Sequence, residues 1–123
     1  MEHITEMEEY KGTKGKRNKI ALDFDGVIHE YSKGWTGVVP IEPPKEGTEE
    51  ALIKLKAEGW TIVIMSTRPK QYIQPWLEKY GLDKYISGVN NTKIPATIYV
   101  DDRGFRFTDW SQTDDIINIV KSL

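Results

Sequence analysis

Apolar residues along this chain fall into short runs that alternate with amphipathic stretches. Ile20-Ala21-Leu22, Thr61 to Met65 and Thr97 to Val100 are short β-branched or aliphatic blocks of the kind buried on both faces of a parallel sheet. Between them, Glu46 to Glu58 predicts a helix, with acids in its first turn, Leu52 and Leu55 on an apolar face and Gly59 as the stop. After Pro69, Tyr72, Ile73, Trp76, Leu77 and Tyr80 recur at helical spacing up to Gly81, and Pro75 implies a kink or a late start. Tyr85 to Val89 predicts a short strand and Phe105 to Phe107 an edge strand. Ser111 with Asp114 predicts a capping box before a last helix carrying Ile116, Ile117 and Val120. Val27 to Ile41 alternates β-branched and aromatic residues around Gly34 and Gly37, which predicts a small β-hairpin flap after the first strand. Strands alternating with helices define an α/β fold, a three-layer parallel sheet with helices on both faces.

The first eighteen residues have no such pattern. They are acidic, then basic and glycine-containing, and read as a disordered tail (1–18) ahead of a single catalytic domain (19–123). At 123 residues there is room for one core and not two. With 29% charged residues and a net charge of −2, no field attracts nucleic acid or an anionic membrane. Cysteine is absent, which excludes a disulfide framework and a thiolate zinc site and is compatible with a cytoplasmic protein. No segment approaches a membrane span, and the acidic N-terminus lacks the regions of a signal peptide.

Chemistry concentrates where the apolar runs end. Asp23 and Asp25 stand two apart, on one side of an extended chain, with Phe24 turned the other way and Gly26 next in line. Two such carboxylates repel by roughly 4 kcal/mol at 4 Å and an effective dielectric of 20, so a divalent cation is the first expectation. Ser66-Thr67-Arg68 comes after the second run, and Asp101-Asp102-Arg103 after a later one, with Lys93 upstream. In an open parallel sheet these positions converge on one crevice beyond the carboxyl ends of the strands.

The order Asp-x-Asp, Ser, Lys, Asp-Asp resembles the haloacid dehalogenase-like superfamily of phosphatases and phosphotransferases, from about Lys19 to Leu123. The resemblance implies a Rossmann-like fold and a Mg2+-dependent phosphatase acting on a phosphomonoester. It implies Asp23 as the nucleophile that forms an aspartyl-phosphate and Asp25 as the general acid and base. Ser66 corresponds to the hydroxyl that holds the phosphoryl group, with Thr67 competing for that role, and Lys93 to the cation that neutralises it. Asp101 and Asp102 correspond to the acidic pair that holds Mg2+ with the Asp23 carboxylate and the backbone carbonyl of Asp25. The chemistry agrees: a metal and an ammonium group offset the repulsion of an attacking carboxylate, and a hard oxygen donor set suits Mg2+ rather than zinc.

Other readings use the same residues. An EF-hand fails at Val27, Ile28 and Gly34, where its calcium loop needs other residues. A receiver-like phosphoacceptor module has its acidic pair early and its lysine late, the reverse of the order here; a metal-dependent nuclease does not need Asp23 as nucleophile. A non-hydrolytic phosphate-binding module is disfavoured because every catalytic position is filled. About forty residues separate Asp25 from Ser66, too few for a cap domain beyond the flap and one helix. The site is then open to a bulky phosphorylated substrate, small molecule or macromolecular end, or is covered by a second subunit of a homo-oligomer. Arg68 and Arg103 have two open readings, contact with substrate or pairing with neighbouring acids, and neither is assigned; His29 reads as packing near the flap, and Trp35 is a weak candidate for substrate contact.

Overall fold

The computed structural model describes residues 19–91, 98–101 and 105–121. Five parallel strands form one sheet in the order β3-β2-β1-β4-β5, where β1 is Lys19–Asp23, β2 Thr61–Met65, β3 Gly88–Asn90, β4 Ile98–Asp101 and β5 Phe105–Arg106. Three helices accompany them: α1, Thr48–Ala57; α2, Lys70–Lys79; and α3, Thr113–Lys121. The protein is therefore an α/β fold built on a parallel sheet.

The apolar runs become strands because they are buried. Ile20, Ala21, Leu22, Ile62, Val63 and Ile64 are all solvent-excluded. Leu52 and Leu55 of α1, Ile73 and Leu77 of α2 and Ile116 and Ile117 of α3 share one core with Ile20, Leu22, Ile62 and Ile64, while Ala21 and Met65 form a second, small cluster. Thr61–Met65 coincides with the sequence expectation, and the other strands lie within about three residues of theirs.

Three boundaries differ, each for a local reason. α1 begins at Thr48, because Gly47 takes a left-handed φ of 86° and a side chain there would meet Trp110 Cβ at 3.2 Å. α2 begins early, at Lys70 directly after Pro69, and encloses Pro75. The cap of the last helical segment is Asp109 rather than Ser111: its carboxylate accepts from the backbone N–H and hydroxyl of Ser111, while Gln112 reaches back to the Asp109 N–H. A 3-10 turn, Trp110–Gln112, then leads into α3. These hydrogen bonds, that of the Ser111 hydroxyl first, hold the Asp109 carboxyl below the usual carboxylate range.

The expected hairpin flap is absent. Residues 26–46 form an irregular loop with only isolated bridges, from His29 to Asp25 and to Pro44. Positive φ values at Tyr31, Gly34 and Gly37 interrupt any ladder. A buried carboxylate holds the loop instead: Glu42 accepts from Ser32 N (3.1 Å), Ser32 Oγ (2.7 Å) and Lys33 N (3.0 Å). Two tryptophans nail the loop to the core, Trp76 Nε1 donating to Glu42 O (2.8 Å) and Trp110 Nε1 to Val27 O (2.9 Å).

The Ser32 hydroxyl, followed by the backbone N–H groups of Lys33 and Ser32, holds the Glu42 carboxyl below its ordinary value of 4.5, against the opposing effect of burial. A depressed folded-state pKa contributes stability that is complete above the unfolded value and lost as pH falls through the folded one. Stability measured by urea denaturation should therefore decline as pH drops below about 4.5, and Glu42→Gln should flatten that part of the profile. Phe24, fully buried, should lose about 3–5 kcal/mol on replacement by Ala, measured the same way.

Candidate functional site

β1 lies at the middle of the sheet, and it is where the chain reverses direction across it. The connections β1-α1-β2-α2-β3 run to one side, after which β4 and β5 pair on the other. Such a switch point opens a crevice at the carboxyl ends of the flanking strands. Asp23 ends β1 opposite Met65 of β2, so Ser66 comes one residue beyond that level. Leu22 pairs with Val100, which brings the backbone of Asp101 to the level of Asp23 on the other flank. Three of the sequence-predicted positions thus meet at one sheet edge. Lys93 and Asp102 lie outside the described residues.

Asp23 and Asp25 have different surroundings. Asp23 Oδ1 accepts from the Phe24 N–H at 2.9 Å. Beyond Phe24 the chain turns tightly: the Phe24 carbonyl accepts from Val27, Ile28 and His29 N–H groups at 2.9–3.2 Å, and Gly26 takes φ 84°, a conformation open to glycine. The turn brings His29 back to Asp25. Its Nδ1 stands 2.8 Å from Asp25 Oδ1, and its Nε2 accepts from the Glu42 N–H at 3.1 Å. Because Nε2 uses its lone pair on a backbone donor, the ring proton is on Nδ1 and is donated to Asp25. Stacking on Phe24 (5.2 Å, 14°) and edge contact with Trp76 (5.7 Å) fix the ring plane.

Arg68 reaches the same carboxylate from beyond β2. Its Nε lies 3.1 Å from both Asp25 oxygens, its NH1 group donates to Gly37 O at 2.6 Å, and its guanidinium lies 4.5 Å from the centre of the Trp35 ring. The side chain is 1% exposed, and its NH2 nitrogen is buried without a partner among the described residues. Arg68 and His29 carry no role on sequence grounds, and both prove to be direct partners of Asp25. The available clue is the four-residue spacing from Asp25 to His29 across Gly26; nothing local announces a pairing 43 residues apart.

Ser66 and Thr67 come directly after β2. The Ser66 N–H donates to Asn90 O (3.0 Å), and its hydroxyl accepts from the Arg68 N–H (3.0 Å). Thr67 is exposed, whereas Ser66 is buried. Asn91 has no signal in the sequence, yet its Nδ2 donates to the carbonyls of both Ser66 (2.7 Å) and Arg68 (3.0 Å), bracing the segment against the end of β3. Trp35, Val38, Val39 and Ile41 are exposed apolar residues of the loop.

Among the described residues, no three acids or histidines converge as a ready cation site. The Asp25 carboxylate faces Arg68 and His29. Among the described residues, no helix is long and apolar enough to cross a membrane.

No family model matches the chain, and no solved structure matches it. It is similar to a curated protein of Metamycoplasma hominis described as "Putative phosphatase in upp 3'region", with 31% identity over 100 residues. The match covers 74% of this chain and 33% of that protein, so the chain spans about a third of the relative's length.

Asn91→Ala should leave two carbonyls without their shared donor and destabilise the protein by about 0.5–1.5 kcal/mol in urea titrations. Asn91→Asp, which has no amide hydrogen to donate, should behave the same way.

Proposed function

We infer that this chain is a phosphatase of the haloacid dehalogenase-like kind, hydrolysing a phosphomonoester through an aspartyl-phosphate on Asp23. The observation that carries the reading is the placement of Asp23 at the switch point of a parallel sheet, with Ser66 and the Asp101 backbone at adjacent strand ends. The printed name of the Metamycoplasma hominis relative points the same way.

In this reading Asp23 attacks phosphorus, the bond to the leaving oxygen breaks, and Asp25 gives that oxygen a proton. Asp25, now a carboxylate, takes a proton from the water that hydrolyses the acyl phosphate, which returns both acids to their starting states. Ser66 suits the phosphoryl oxygens because its hydroxyl oxygen already accepts from Arg68 N–H, leaving the O–H to donate outward. Thr67 and Lys93 are the further phosphate contacts.

The donor set that the resemblance implies, the Asp23, Asp101 and Asp102 carboxylates with the backbone carbonyl of Asp25, is made of hard oxygens that suit Mg2+. When bound, the ion neutralises charge on the transferring oxygens and on Asp23. The segment between Asp23 and Ser66 holds one loop, α1 and β2, so the site lacks a cap there and admits a bulky substrate.

Hydrolysis of a generic phosphomonoester should require Mg2+ and stop with EDTA. Asp23→Asn should abolish turnover, and Asp25→Asn should slow it by about 10²- to 10⁴-fold. Sustained turnover by Asp23→Asn, measured as phosphate release, overturns the covalent mechanism.

A further inference from the structure

Arg68 is a buried cation whose contacts are unusual for a residue that only fills space. One planar group touches both oxygens of Asp25, the carbonyl of Gly37 and the face of Trp35, while its own backbone N–H is held by Ser66 Oγ. A guanidinium can do this because its donors point in fixed, divergent directions within one plane; a lysine ammonium has no such fork. His29 Nδ1 approaches Asp25 Oδ1 as a second donor. Both oxygens of Asp25 are thus fixed in space by groups that are themselves immobile: Arg68 is 1% exposed and His29 1% exposed.

We propose that Arg68 is a positioning residue for proton transfer: it holds the Asp25 carboxyl, with His29, in the orientation that serves the leaving group and then the hydrolytic water. The proposal rests on the phosphatase reading above. Arg68 Nε contacts both oxygens of Asp25 and His29 Nδ1 one of them, so the plane of the carboxyl group is set from two sides. Asp23 is outside this clamp; its Oδ1 is instead oriented by the neighbouring Phe24 N–H. Through Asp25, Arg68 acts on the proton-transfer half of the chemistry. The same guanidinium binds Gly37 O, so the loop carrying Trp35 is fixed relative to Asp25 by one side chain.

The test separates acid catalysis from general structural damage. kcat/KM with Mg2+ is compared for phenyl phosphate, whose leaving oxygen benefits from a proton, and dinitrophenyl phosphate, whose phenolate departs without one. Arg68→Lys and Arg68→Gln should lower kcat/KM for phenyl phosphate by about 10²-fold and for dinitrophenyl phosphate by less than about tenfold. In an Asp25→Asn background, either change should add less than about twofold, since the group being positioned no longer transfers protons. Equal losses on the two esters, or a full additional loss in the Asp25→Asn background, overturn the proposal. If the single variants fail to fold, the Asp25→Asn pair carries the comparison alone, with no carboxylate left unpaired: an added loss on phenyl phosphate of less than about twofold supports the proposal and a full additional loss overturns it. A wild type that turns over neither ester overturns the phosphatase reading itself, and the positioning role with it.

Discussion

A guanidinium that is almost wholly excluded from water must be compensated, and the fold around this site is shaped by how that is done. Removing one partner of a buried ion pair typically costs about 3–5 kcal/mol because the other charge is left stranded. Among the described residues Arg68 has one carboxylate, Asp25, and one carbonyl, Gly37, within hydrogen-bond distance. Asp25 belongs to the turn after β1 and Gly37 to the long loop, so compensating the charge obliges both to close on the end of β2. The aromatic face of Trp35 completes the enclosure. The loop has no ladder of its own, and the Arg68 contact to Gly37 adds to the Glu42 clasp and the two tryptophan hydrogen bonds that hold it.

A second constraint operates through Phe24. Alternation along an extended strand sends its side chain away from the crevice and into the core, where it stacks on His29 and meets Trp76 edge-on (5.0 Å). Trp76 in turn donates to the carbonyl of Glu42, whose N–H fixes the tautomer of His29 and whose carboxylate ties up Ser32 and Lys33. Packing and polar satisfaction are here one network: the ring that sets the plane of His29 is anchored by the residue that sets its protonation pattern. Cores that combine these two requirements resist partial rearrangement, since shifting any member leaves a buried donor or acceptor unpaired.

The sheet is legible in the sequence because burial on both faces leaves an unmistakable run of aliphatic residues, and β2 coincides with its run, Thr61 to Met65. The convergence of Asp23, Ser66 and the Asp101 backbone is legible for the same reason: once strands are parallel, the residues at their carboxyl ends share an edge. The irregular loop is not legible, because β-branched and aromatic residues around Gly34 and Gly37 give the pattern of a strand pair, whereas the positive φ values and the Glu42 clasp are decided by contacts up to ten residues apart. The capping box is displaced by two residues because Asp109 and Ser111 are both good caps, and the choice between them depends on where Trp110 must enter the core. Arg68 is invisible as a partner of Asp25 since no periodicity relates two residues that leave different strands.

The two aspartates of the Asp-x-Asp pair are thereby distinguished by physics rather than by order. Asp23 belongs to a strand and its position is fixed by the sheet register, so it is placed as rigidly as the backbone itself. Asp25 stands past the strand's end, in a turn, where register no longer acts; its carboxylate is placed by side chains from beyond β2 and from the same turn. In the proposed mechanism Asp23, as nucleophile, needs its position fixed along the line of attack, which a central strand supplies, and Asp25 is the proton-moving group. A group that moves protons in two directions needs its oxygens oriented, and that requires donors at defined angles, which a strand cannot supply and a buried arginine and histidine can. The same two-residue spacing thus yields two different mechanical supports, and the difference arises at Gly26, where the chain leaves the sheet.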